Sequence, residues 1–288
     1  MASNMARRVA FAAVAIPVAI GVVWLGGAPL AALVAAAGVL GTREFLHFGE
    51  RQGLRPWKPF AYLLAAAPAP LAWAVARAPE VAARVDAAGP YAAGLLLVAL
   101  LLGTLARVTP DGRPLGSAAL TLLGPLYAGA LPAFLVTIRH AGHGTQSWAG
   151  TALVFFPLAV TWACDSLAME VGRRVGGPKL WPAVSPGKTW SGSVGGLAGA
   201  LLAVPLLLWL VLEPAGVAFP LWQGLVIALA AGTLGQLGDL AESLFKREAG
   251  LKDSSSLIPG PGGVLDRFDS LYVVLPVTAA LYRCFGVI

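Results

Sequence analysis

Apolar runs of about 20 residues recur along the whole 288-residue chain, and no other feature narrows its fold as much. A helix needs roughly 20 such residues to cross a hydrocarbon core about 30 Å thick. In that medium every backbone donor and acceptor must find its partner within the protein, which favours helices. With 58% apolar and 12% charged residues, the chain leaves no soluble domain of useful size between the runs. The fold class expected is therefore all-α, a polytopic integral membrane protein of about nine transmembrane helices with cytoplasmic catalytic loops. The helices are expected near 9 to 27, 28 to 47, 60 to 76, 90 to 106, 116 to 138, 149 to 165, 190 to 212, 219 to 239 and 268 to 287. Arg7 and Arg8 before the first run imitate a signal peptide, but the run continues to about Gly27 and is read as a retained helix.

The net charge of +6 does not indicate nucleic-acid binding, because no basic helix or aromatic-interleaved patch accompanies it. It follows instead from the excess of Lys and Arg in cytoplasmic loops. With the N-terminus in the cytoplasm, only Arg77, Arg84, Arg139 and Arg283 fall outside, so the chain is expected to be multi-pass in the inner (cytoplasmic) membrane. Cys164 and Cys284 lie in apolar segments without metal-ligand spacing and are read as packing residues. His140 and His143 lack a carboxylate neighbour and are read as part of a solvated outer loop. Pro68, Pro70, Pro125 and Pro132 are expected to kink or end helices.

Two regions follow: residues 1–145, N-terminal transmembrane helices carrying little chemistry, and residues 146–288, a catalytic transmembrane half. In the second region one arrangement occurs twice. An apolar helix ends in an acid, Asp165 or Asp239, and a polar cytoplasmic loop, 165 to 190 or 239 to 270, leads to the next helix.

Asp239, Glu242, Ser243 and Lys246 fall at i, i+3, i+4 and i+7 and share one helical face. A carboxylate at the end of an apolar span is costly in hydrocarbon and turns to a water-filled cavity or a partner; the alternative is a surface charge ladder. Asp266 and Asp269 flank Arg267 at the start of the last helix, where Asp266 also suits a helix cap. Together with Asp239 they make an oxygen-ligand set for a hard cation, since Mg²⁺ takes one or two carboxylates, waters and substrate phosphates. Gly260, Gly262 and Gly263 would let backbone amides approach an anion. Gly187, Lys188 and Thr189 imitate the end of a Walker A motif, but Pro182 occupies the place of its first glycine and no hydrophobic strand precedes the loop. Lys179, Ser185, Lys188 and Thr189 still offer charge and donors for phosphate beside Asp165.

The tail ESLFKREAGLKDSSSLIPGPGGVLDRFD resembles the signature of the phosphatidate cytidylyltransferase (CDP-diacylglycerol synthase) family, S-x-x-K-R, then K-D, then P-G-H-G-G-x-x-D-R-x-D. Ser243, Lys246, Arg247, Lys252, Asp253, Gly262, Gly263, Asp266, Arg267 and Asp269 carry the match. In the earlier loop, Asp165 and Ser166 resemble the family's Asp-Thr/Ser, and Ser185, Pro186, Lys188 and Thr189 its S-P-x-K-T. Pro261 stands where the family has His, and Ser191 where Glu commonly follows. The resemblance implies an enzyme that transfers CMP from CTP to phosphatidic acid at the membrane, forming CDP-diacylglycerol and pyrophosphate. On that reading Asp239 and Asp266 hold Mg²⁺, with Asp165 and Asp269 in support and room for a second cation. Lys188, Lys246, Arg247 and Arg267 hold phosphates, with Ser166, Lys179, Lys252 and Asp253 on the substrate side. A homodimer surrounded by membrane lipids is also implied. A second enzyme reading keeps the fold and changes the acceptor, as a cytidylyltransferase or related phosphotransferase acting on another lipid phosphate; a reading of a different class is a transporter whose acids bind a cation.

Overall fold

The computed structural model describes residues 16–257 and 262–288. Arg7 and Arg8, the start of the first expected helix, and Gly260 and Pro261 lie outside them. Among the described residues seven helical segments are long and apolar enough to cross a membrane. They are α2 (Gly27–Glu50); α3 (Lys58–Ala66) continuing into α4 (Pro68–Arg77); α5 (Pro79–Arg107); α6 (Pro114–Pro125) continuing through a π-helical turn, Leu126–Ala130, into α7 (Leu131–His140); α8 (Trp148–Val175); α9 (Trp190–Leu207) with a second π turn, Leu208–Leu212; and α10 (Leu221–Glu248). Two shorter helices occupy the remaining expected positions: α1 (Ile16–Leu25) at the start, and α12 (Leu271–Cys284) after the one-turn α11 (Leu265–Phe268). Pro68 separates α3 from α4, and the first π turn follows Pro125, as expected of residues that cannot donate to the ladder.

Neither Asp165 nor Asp239 ends its helix, contrary to expectation. α8 runs on to Val175 and α10 to Glu248. The apolar pattern marks where contact with hydrocarbon stops, whereas the hydrogen-bond ladder continues through good helix formers such as Leu167, Ala168, Met169 and Glu170. The first polar loop is correspondingly shorter and not irregular. Within it β1 (Lys179–Trp181) pairs antiparallel with β2 (Ser185–Thr189), in a register that places Lys179 opposite Thr189 and Trp181 opposite Ser185. This hairpin is a small addition to an otherwise helical fold.

Small residues let α8 and α9 lie close together. A Cβ on Gly196 would come within 2.8 Å of the Cys164 carbonyl oxygen, and one on Gly192 within 2.7 Å of the Ala168 carbonyl oxygen. The main core gathers residues from most helices, including Leu30, Val136, Phe156, Ile227, Leu275 and Tyr282. A second core joins Phe45 and Leu46 of α2 to Leu120, Leu265 and Tyr272, and so seats the polar tail against the N-terminal helices.

Arg139, placed outside, and His140, read as part of a solvated outer loop, are both buried. Arg139 is fully enclosed and donates to the carbonyls of Val23 (2.5 Å), Trp24 (2.7 Å) and Gly144 (3.0 Å). Val23 and Trp24 end α1, where carbonyls lack intrahelical partners, so the guanidinium acts as a cap. His140 accepts the Gly27 N–H on Nε2 at 2.9 Å, which does the same for the start of α2. Their neighbours Gly142 and Gly144 made the segment read as a loop, although α7 extends to His140.

Candidate active site

A cavity of about 560 Å³ opens between α8, α9, α10 and the hairpin. Asp165 and Met169 reach it from α8, Ser193 from α9, Gln236 and Asp239 from α10, and Lys179, Gly187, Lys188 and Thr189 from the strands. Its size suits a drug-sized or nucleotide-sized ligand. Lys188 is the link between hairpin and helix: its Nζ lies 2.7 Å from Asp239 Oδ2 and 3.5 Å from the Gln236 carbonyl oxygen. The other Asp239 oxygen accepts from the Ser243 hydroxyl at 3.3 Å, one turn on, as the i, i+4 spacing requires. Thr189 caps α9 by accepting from the Gly192 N–H at 3.1 Å, and Ser191 donates to the Gly176 carbonyl, which closes the base of the hairpin. A strand pair, not a Gly-rich loop before a helix, thus presents Lys188.

The shared face of α10 divides in two. Asp239 lines the cavity and Ser243 donates to its carboxylate, while Glu242 is fully buried and Lys246 nearly so. Lys246 Nζ sits 3.2 Å from Glu242 Oε1 and 2.6 Å from Asp266 Oδ1. The second oxygen of Asp266 accepts from the Ser254 N–H (2.7 Å), the Ser254 hydroxyl (2.5 Å) and the Gly263 N–H (2.8 Å). Burial alone would raise its pKa, but these donors and Lys246 outweigh it and hold the carboxyl below its ordinary 3.8. Asp269, C-terminal to α11, behaves oppositely: burial and the charges of Asp239 and Asp165 push it up to about 7. The charges of Asp239 and Asp165 thus bear on Asp269, whereas Asp266 belongs to a saturated network around Lys246.

The other expected residues are dispersed. Ser185 begins β2 and Ser166 is exposed on α8, neither lining the cavity. Lys246, Arg247 and Arg267, expected beside Lys188 as phosphate holders, do not line it either. Arg247 instead ties two loops together, donating to the carbonyls of Val184 (3.2 Å) and Leu251 (3.0 Å). Arg267 is exposed on α11, and Lys252 and Asp253 are exposed in the loop after α10. Gly262, at φ +104°, and Gly263 turn the chain into α11.

One residue of the site came from the region read as chemically quiet. Glu44 of α2 is buried and takes four hydrogen bonds: from the Ser254 (2.9 Å) and Ser255 (2.6 Å) hydroxyls and from the N–H groups of Val264 (3.1 Å) and Leu265 (2.9 Å). It caps the start of α11 and fixes the loop that carries Ser254. Any side chain at Gly263 would collide with its carboxylate. A signal existed: an acid flanked by apolar Phe45, Leu46 and Phe48 near the end of a span is costly unless partnered.

A model of the cytidylyltransferase family matches residues 6–285. Over 165 residues the chain is 44% identical to a phosphatidate cytidylyltransferase of Brucella abortus biovar 1 (strain 9-941), covering 57% of this chain and 56% of that protein. A protein of the same name from Staphylococcus saprophyticus is 43% identical over 149 residues, 50% of this chain and 55% of the relative. The Haemophilus influenzae protein of that name is 39% identical over 164 residues, 57% of this chain and 55% of its own. The chain thus spans about half the length of the curated relatives it matches.

Proposed function

Because the chain belongs to the cytidylyltransferase family, we propose that it transfers CMP from CTP to phosphatidic acid, giving CDP-diacylglycerol and pyrophosphate. The observation that carries this reading is the cavity in which Lys179 and Lys188 face Asp165 and Asp239. The reaction requires one new bond, from a phosphate oxygen of phosphatidic acid to the α-phosphorus of CTP. The bond from that phosphorus to the oxygen bridging the β-phosphorus breaks, and pyrophosphate leaves with the electron pair. A phosphomonoester with a second pKa near 6 is already largely dianionic at neutral pH, so no side chain has to remove a proton. The work of the protein is to hold two anions together.

Lys188 has three donors. It uses two on Asp239 and the Gln236 carbonyl, so one remains to face a phosphate. Lys179, across the hairpin, supplies a second cation in the same cavity. The site would face the cytoplasm, the source of CTP, with the N-terminus on the same side of the inner membrane.

The family resemblance also implies Mg²⁺. Among the described residues no three His, Cys, Asp or Glu side chains are grouped to hold a metal ion. Mg²⁺ does not need such a cage, because it keeps several waters and takes one or two carboxylates with substrate phosphates. Asp239 would supply one and Asp165, which lines the same cavity, a second, while Asp269 does not line it and would act on the site through its charge. Asp266 becomes a ligand only by releasing Lys246, which would then be able to face a phosphate. When bound, the ion neutralises phosphate charge as the two anions approach.

Asp239→Asn tests the assignment. CDP-lipid formation should fall by roughly two orders of magnitude or more, in the range of losing one preorganised charged group in an active site, with the thermal midpoint nearly unchanged. Turnover within a few-fold of the parent would remove Asp239 from the site.

A further inference from the structure

Arg55, Lys58 and Arg107 meet at one end of two neighbouring spans. α3 starts at Lys58 and α5 ends at Arg107, so a chain that crosses along α3 and α4 and returns along α5 brings these residues to the same membrane face. Between them lies a cavity of about 550 Å³, separate from the one described above and sharing no lining residue with it. The three cations line it together with Trp57, Thr104 and Thr121, and no Asp or Glu does so among the described residues.

The local charge is poorly compensated. Glu50 lies 2.7 Å from Lys58, but among the described residues neither Arg55 nor Arg107 forms an ion pair. Arg107 lies 4.7 Å from the Trp57 ring centroid, and Trp57 stacks on Phe60 at 4.7 Å. Asp111, on the neighbouring turn, is exposed and does not line the cavity. Leading up to the cavity along α5 are the exposed side chains of Leu97, Leu101, Leu102 and Leu105, a surface for acyl chains.

Indoles favour the headgroup level, and basic pockets between membrane helices suit anionic headgroups. We propose that this cavity holds the phosphate of an anionic phospholipid whose acyl chains lie along α5. The site is additional to the reaction cavity, and the proposal stands whatever reaction that cavity performs.

Native mass spectrometry of the full chain in detergent, with equal amounts of phosphatidylglycerol and phosphatidylcholine, tests it. The parent protein should retain phosphatidylglycerol several-fold over phosphatidylcholine. The pair Arg55→Gln and Arg107→Gln should lose that preference, and the pair Arg55→Lys and Arg107→Lys should recover most of it. Equal retention of the two lipids by the parent, an unchanged preference in the Gln pair, or loss of preference in both pairs would overturn the proposal. Displacement of phosphatidylglycerol by an equal concentration of inorganic phosphate would assign the cavity to free phosphate and overturn the lipid reading.

Discussion

Glu44 shows how one side chain can set the position of a whole loop. Its carboxylate faces two hydroxyls and two backbone N–H groups, and the Ser254 hydroxyl lies between it and Asp266. That hydroxyl has one proton for two carboxylates, so the two acids are coupled through it. Removing Glu44 leaves buried donors without an acceptor, at about 1–3 kcal/mol for each group left dry. Glu44→Ala should therefore lower the thermal midpoint in detergent clearly, by about 2–4 kcal/mol of stability. Glu44→Gln keeps one acceptor oxygen and should lose less. A thermal midpoint of Glu44→Ala equal to that of the parent would show that the tail does not depend on this contact. The residue escaped the sequence reading because it lies some 200 positions from its partners: spacing rules see i+3 and i+4 neighbours, not contacts between distant helices. Asp239, Ser243 and Lys246 were legible for the opposite reason, since their mutual geometry is local to α10.

At the level of elements, the α8 and α9 pair forms one wall of the cavity that Lys188 and Asp239 line, and its close approach depends on glycines. Gly196→Ala would place a methyl group 2.8 Å from both the Cys164 carbonyl oxygen and the Ala168 side chain, forcing the helices apart. A cost of roughly 1–3 kcal/mol is expected from overpacking, with a matching fall in CDP-lipid formation as Asp165 and the hairpin separate. Gly94→Ala on α5 is the control, because no atom lies within 4 Å of its added Cβ. It should leave stability equal or slightly higher, helix propensity favouring Ala by up to about 1 kcal/mol. Thermal unfolding and activity of the two variants together decide the point: equal behaviour would mean that α8 and α9 tolerate separation. The helices themselves were legible because run length in an apolar chain leaves few alternatives. Their ends were not, since Asp165 and Asp239 mark a change of solvent and not a change of backbone. The hairpin was hidden for a related reason: β1 and β2 are short, and Pro182 and Pro186 read as loop residues.

At the scale of the molecule, the polar tail is held between α2 and α10. Leu265 and Tyr272 pack on Phe45 and Leu46 of α2, Glu44 caps α11, and Lys246 of α10 holds Asp266. The cavity with Lys188 and Asp239 lies beside this assembly, so the N-terminal helices contribute to the site by fixing its tail. The central claim, CMP transfer to a lipid phosphate, is tested most directly by supplying CTP and phosphatidic acid to purified protein in detergent micelles, with Mg²⁺ and with a chelator. The account predicts CDP-diacylglycerol and pyrophosphate in equal amounts, formed with Mg²⁺ and not with the chelator. Folded protein that makes no CDP-lipid, or makes as much with the chelator as with Mg²⁺, would contradict it.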